Sequence, residues 1–340
     1  MLHDFRFAFR QLRRSPGFTA IAILTLAVAI GVNSAIFALV KTVILKPIAP
    51  VRPEEVVNVF TPRQNAAHDY RQFSYNEFST LRENTDVFAD VAALQFALAG
   101  IGRDEGMRRS FVFLTSENFF SLEGSKPFLG RFYDAAEARP NANVPVAVAS
   151  YAFWKRLGGR ADLVGQPLTI NRQTYTLIGV APPDFSGVSA LLAPDLWLPL
   201  GVYSQLGSAF SDRTGAMNLT APKNYTLNVI ARLHPGLTVA SAQSRLPALA
   251  QRVNAIHPPD ADGARGLQIV KPSRFSISTQ PEDDGPVGFA GTLLVAMAAA
   301  VLFIACLNLA NMLLARGANR SREIALRLAL GASRWRIVRQ

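Results

Sequence analysis

The sequence predicts an α+β periplasmic domain inserted between two transmembrane α-helices, with short cytoplasmic amphipathic helices at both ends. Three observations predict it. Two long stretches carry no charge, Ser15 to Val40 and Gly285 to Ala315. Arginines crowd the outer flanks of both. Between them, short alternating apolar runs interleave with short helical patterns.

The uncharged stretches come first in the argument. A bilayer core about 30 Å thick needs about 20 apolar residues at 1.5 Å per residue. Both stretches exceed this, so spans are expected over 17–44 and 285–315. Lipid offers the backbone no hydrogen bonds, so each span should be helical. The competing reading is a buried helix of a soluble protein, and such helices rarely run this long without a charge. A cleaved signal peptide is the other reading of the first stretch. Its apolar run is longer than the usual signal core.

Orientation follows from charge. The chain of 340 residues has a formal net charge of +11. Arg6, Arg10, Arg13 and Arg14 precede the first span, opposed by Asp4. Arg316, Arg320, Arg322, Arg327, Arg334, Arg336 and Arg339 follow the second, opposed by Glu323. Arginine close to both membrane ends places both flanks in the cytoplasm and the middle outside it. The high charge is therefore a topology and membrane-surface signal, with no nucleic-acid partner implied. The one cysteine, Cys306, lies in the second span, so the outer domain has no disulfide and depends on its own core.

Residues 1–16 read as an amphipathic helix on the inner leaflet, with Phe5, Phe9 and Leu12 at helical spacing. Ser15 and Pro16 read as N-cap and first position of the first span. The domain at 45–284 opens with a strand at Val56–Phe60, then a helix at Tyr75–Arg82. Strands follow at Val87–Leu98 and Met107–Thr115. A short helix from Ser116 should turn Phe119, Phe120 and Leu122 inward. A strand at Pro145–Ala149 leads into a helix at Tyr151–Leu157, whose Tyr151, Phe153 and Trp154 read as core. Leu168, Ile170, Tyr175 and Leu177 alternate with polar residues, which is a hairpin turning at Asn171-Arg172. Further strands are expected at Leu196–Leu200, Tyr225–Leu233 and Leu267–Val270. Pro247 should kink or split the helix over Val239–Val253. Gly201–Ala221 reads as a long loop or a small subdomain boundary.

Beyond the second span, 316–340 begins a helix that Gly331 stops, and Ser333 caps a new one. That new helix does not finish, as expected for a truncated coding sequence. The polar or small residues inside the spans, Gly31, Asn33, Ser34, Asn308 and Asn311, mark faces that pack on other helices. No acidic or basic residue sits in Ser15–Val40 or Gly285–Ala315, so an ion route has no support. His3, His68, His234 and His257 have no ligand spacing, and His234-Pro235-Gly236 reads as a turn. The sequence has no P-loop, nucleophile elbow or zinc motif, so no cofactor and no catalytic residue is assigned.

Four segments in order resemble the MacB/FtsX-like family of ABC transporter permeases. They are LRRSPGFTAIAILTLAVAIGVNSAIFALV, LGRFYDAAE with VPVAVASYAFWKRLGG, VGQPLTINRQTYTLIGVAPPDFSG, and SREIALRLALGASRWRIVRQ. The first is similar to the duplicated orphan permeases of acidobacterial type. The resemblance implies a MacB-like periplasmic core domain in an inner-membrane permease that is not itself an enzyme. It further implies a cytoplasmic ABC ATPase dimer as partner, a homodimer or pseudo-dimer with a second permease half, and export or envelope-related mechanotransmission. It places contact with the ATPase on Arg320, Glu323, Arg327, Gly331, Ala332 and Ser333. Without it, a basic juxtamembrane helix held by anionic lipid explains that segment. The chain departs from the family in having two spans rather than at least four, and Asn-Arg rather than Asn-Gly at the hairpin turn. Topology alone also fits a two-span sensor with a ligand-binding outer domain.

Overall fold

The computed structural model describes residues 16–41, 51–63, 69–102, 107–183, 185–187, 193–206, 218–256, 264–273, 278–282, 284–319 and 329. Its contacts divide into two compact units, Pro47–Asp284 and the pair Met1–Lys46 with Gly285–Gln340.

In the smaller unit, helices run over Pro16–Val40 and Gly285–Asn319, and the two pack on each other. Both are long and apolar enough to cross a membrane. Most buried residues are small and fall seven apart: Ala22 and Ala29 on the first helix, Gly291, Ala298 and Ala305 on the second; Val40, at the end of the first helix, is also buried. Small residues at heptad spacing let helix backbones approach closely where lipid supplies no hydrophobic drive. Large apolar side chains such as Ile23, Leu24, Phe37, Phe289, Phe303 and Leu314 face outward.

The larger unit is built on strands β1 (Val56–Pro62), β2 (Tyr70–Arg71), β3 (Phe88–Ile101), β4 (Arg108–Thr115), β5 (Leu129–Gly130) and β6 (Val146–Ala149). It continues with β7 (Pro167–Ile170), β8 (Gln173–Val180), β9 (Leu196–Pro199), β10 (Asn228–Leu233) and β11 (Gln268–Val270). Their order across the sheet is β11-β1-β10-β3-β4-β9-β6-β8-β5, with β2 beside β1. The pairs β4–β9 and β6–β8 are parallel, and every other named pair is antiparallel. β7 bonds both β8 and, through Ile170 opposite Ile101, β3. The pairings β3-β4-β9-β6-β8-β7 therefore close on themselves, which leaves those strands fewer open edges.

Alternate residues of the central strands fall into two apolar clusters, so both faces of the sheet are covered. Val112, Leu114, Leu196, Leu198, Ala147 and Ala149 join one cluster, together with Leu81, Leu246 and Leu249 from helices. Phe113, Trp197 and Val148 join the other, which is aromatic: Phe119, Phe120, Tyr133 and Phe185 complete it. Phe120 stacks on Phe132 at 3.8 Å between centroids and meets Trp197 edge-on at 5.7 Å. The short helix Phe119–Leu122 thus turns its apolar residues inward as its sequence requires. Phe153 and Trp154 are buried, and the indole N–H of Trp154 donates to Arg160 O at 2.9 Å.

Two helix starts are built alike. Ser74 and Glu77 cap one another's backbone N–H groups, and Arg71 grips Glu77 with two bonds of 2.9 and 2.7 Å. Asp134 and Glu137 do the same, with Arg131 on Glu137 at 2.7 and 2.6 Å. The spacing Arg, three residues to the cap, three to Glu, recurs because it satisfies two orphan donors and the carboxylate together. The hairpin turn has positive φ at both Asn171 (47°) and Arg172 (67°), the geometry a two-residue turn needs. Pro247 splits the expected helix into Val239–Gln243 and Leu246–Ile256, and sits in the first turn of the second, where its missing N–H costs nothing. His234 accepts a turn bond from Leu237 N at 3.0 Å. Of the expected loop 201–221, Leu200–Val202 and Tyr203–Leu206 are single helical turns.

Candidate functional site

The chain reaches the sheet from the first apolar helix and returns to the second through the segments that flank β1 and β11. These two strands are neighbours: Asn58 lies opposite Val270 and Phe60 opposite Gln268. Because the pair is antiparallel, the start of β1 and the end of β11 lie at the same end of the sheet. Both connectors are therefore rooted side by side.

The first root is clamped by one arginine. Arg232 lies opposite Val56 on β10, next to the buried apolar run Val229–Ala231. Its Nε and Nη2 donate to Leu122 O at 3.0 and 2.5 Å. Nη2 also reaches Val51 O at 3.0 Å, and Nη1 reaches Arg52 O at 3.2 Å and Glu55 Oε2 at 3.1 Å. One planar guanidinium thus joins the incoming segment, β10 and the end of the helix Phe119–Leu122. Glu55 is held from its other oxygen by Arg52 at 3.1 Å.

Next to the clamp sits Glu123. It is fully buried, and neither carboxyl oxygen has a hydrogen-bond partner among the described residues. Burial pushes its carboxyl up to about 8, with the charge of Arg232 pulling the other way. Gly124, which follows, has φ of 74°, and a Cβ there would lie 2.7 Å from Val51 Cβ. Val51 therefore seats directly on the glycine.

β11 is held along its length by polar groups, from its start beside the end of β1 to the segment that follows it. Tyr70 Oη donates to Gln268 Oε1 at 2.9 Å, and Gln243 Oε1 accepts from Ile269 N at 2.9 Å. Arg265 is buried and donates to Asp69 O at 3.2 Å. Ser273 Oγ donates to Asp284 Oδ1 at 2.6 Å, immediately before the second apolar helix.

The residues assigned to ATPase contact, Arg320, Glu323, Arg327, Gly331, Ala332 and Ser333, lie outside the described residues. Of the polar and small residues expected at helix contacts, Asn33 is half-buried, with its amide donating to Ala29 O at 2.8 Å. Gly31, Ser34, Asn308 and Asn311 are exposed on the helix pair. The residues buried in this helix pair are mostly alanine and glycine, which sequence reasoning did not single out because an alanine facing lipid reads the same as one facing a helix. The Arg232 clamp was missed too. Its one signal was a charge in the apolar run Asn228–Leu233.

A family model described as MacB-like periplasmic core domain matches residues 19–249, and one described as FtsX-like permease C-terminal matches residues 295–340. Macrolide export ATP-binding/permease protein MacB 2 of Aeromonas hydrophila is 26% identical over 225 residues, 66% of this chain. The chain spans 30% of the length of that relative. Among solved structures, the periplasmic region of MacB from Actinobacillus actinomycetemcomitans gives a TM-score of 0.44 at 13% identity, covering 65% of this chain and 92% of that one. The extracellular domain of the ABC-type transporter YknZ from Gram-positive bacteria gives 0.45 at 11%, covering 63% and 99%. With more than half of its length on the first family model and its last segment on the second, the chain belongs to the MacB/FtsX-like family of ABC transporter permeases.

Proposed function

We propose that this chain belongs to an inner-membrane permease subunit that transmits ATPase-driven motion through its two apolar helices to the domain outside. Export or envelope-related mechanotransmission is the use of that motion. The observation that carries the reading is the shared root: connectors to both helices leave one end of the sheet from neighbouring strands. A displacement of either helix then acts on one corner of a closed, well-packed domain, which moves as a body rather than deforming. The arginine-rich flanks support cytoplasmic termini, and the domain then lies in the periplasm.

A cytoplasmic ABC ATPase dimer supplies the motion and docks on Arg320, Glu323, Arg327, Gly331, Ala332 and Ser333. The exposed Gly31, Ser34, Asn308 and Asn311 give the helix pair small and polar faces for a second copy or a second permease half. Chemistry resides in the partner, and no catalytic residue is assigned to this chain. The test is co-isolation of the ATPase with the full-length permease from membranes. Glu323→Arg should lower the recovered ATPase about tenfold or more, the effect of losing about 1.4 kcal/mol at the contact. Unchanged recovery contradicts the docking surface.

A further inference from the structure

We propose that Glu123 and Arg232 form a proton-coupled latch on the first connector: Glu123 carries a proton while the connector is seated and releases it when the connector is displaced. The proposal rests on reading that connector as a moving part, but the coupling itself is a property of this domain.

The geometry runs as follows. Arg232 is fully occupied by Leu122 O, Val51 O, Arg52 O and Glu55 Oε2, so it offers Glu123 charge but no hydrogen bond. The other charged groups around the site are engaged or remote from its carboxyl. Glu55 is held by Arg52 and Arg232. Asp90, on the neighbouring β3, accepts from Asn118 at 2.6 Å. Lys126, on the same segment as Glu123, is exposed. An unpaired carboxylate in such a place costs several kcal/mol, so the seated state favours the neutral acid.

Removing residues 51–55 changes both terms together. Val51 leaves Gly124, which opens the site to water, and Arg232 loses three of its four acceptors. The freed guanidinium then pairs with the ionised Glu123. One proton leaves for solvent, and no other bond is made or broken. By linkage, the seated state binds one more proton than the displaced state between the ordinary carboxylate value of 4.5 and about 8. Alkaline pH therefore loosens the connector, and acid tightens it.

The experiment is amide hydrogen exchange on the full chain in lipid nanodiscs, read at Glu55 and Val56 and corrected for the chemical exchange rate. In the seated state their N–H groups are held by Arg52 O and Pro53 O. The opening constant should rise about tenfold per pH unit from about pH 5, then level off near pH 8, as one-proton coupling requires. Glu123→Gln should abolish the slope. An unchanged slope in Glu123→Gln, or a pH-independent opening constant in the parent, overturns the latch. Should the variant not fold, carbon-13 NMR of glutamate carboxyls in the parent decides. One carboxyl titrating near pH 8 supports the latch, and none titrating above about pH 6 overturns it. Neither readout involves an ATPase, so failure of the latch and failure of the permease reading are separable.

Discussion

Arg71 and Arg131 make the same two bonds to a capping glutamate, yet burial separates their worth. The Arg71 side chain is 19% exposed and Glu77 8%, whereas Arg131 is 54% exposed. Breaking a buried pair strands a charge and costs about 3 kcal/mol, while an exposed pair is worth about 1 kcal/mol or less. Glu77→Gln should therefore destabilise the protein by about 3 kcal/mol at neutral pH in denaturant unfolding, and Glu137→Gln by about 1 kcal/mol. Burial raises the Glu77 carboxyl, but the bonds and charge of Arg71 together with Ser74 hold it below its ordinary value. The stabilisation is thus present above 4.5 and lost as pH falls through the lowered native value. The gap between parent and Glu77→Gln should close in acid.

Elements were legible where local chemistry decides them. The alternation over Pro167–Val180 gave a hairpin with its turn at Asn171-Arg172, and Pro247 split its helix, because both signals are complete within a few residues. The strands at β1, β3, β4, β6, β9, β10 and β11 also followed from short apolar runs. β2 and β5 did not, being two residues each and held by partners far along the chain. The same limit hid the connector site: Arg232 meets Val51 and Leu122 across separations of 181 and 110 residues. Glu123 gave no sign of burial, since that depends on packing between segments far apart in the chain, Phe119–Leu122 on β3 and Val51 on Gly124. At the hairpin, Arg172 at φ 67° pays for a left-handed backbone that glycine adopts freely. Arg172→Gly should raise stability by about 0.5 kcal/mol, the strain relieved less the added freedom of the unfolded chain, measured by thermal or urea unfolding. A loss of stability would show that the arginine side chain contributes more than its backbone costs.

At the scale of the molecule, two apolar helices flank a domain whose first and last strands are partners. The helices were legible because length and lack of charge suffice. Their mutual seam was not, since alanine and glycine are the least distinctive residues in a span. Within the domain, the start of β1 and the end of β11 lie side by side at one end of the sheet. The most direct measurement is labelling of single cysteines in intact cells by a membrane-impermeant thiol reagent, in a Cys306→Ser background. Arg160→Cys, at an exposed site of the domain, should be labelled from outside, and Gln340→Cys should react only after lysis. Labelling of the cysteine at 160 only after lysis, or recovery of the protein in the soluble fraction, would contradict a domain held outside by two lipid-embedded helices.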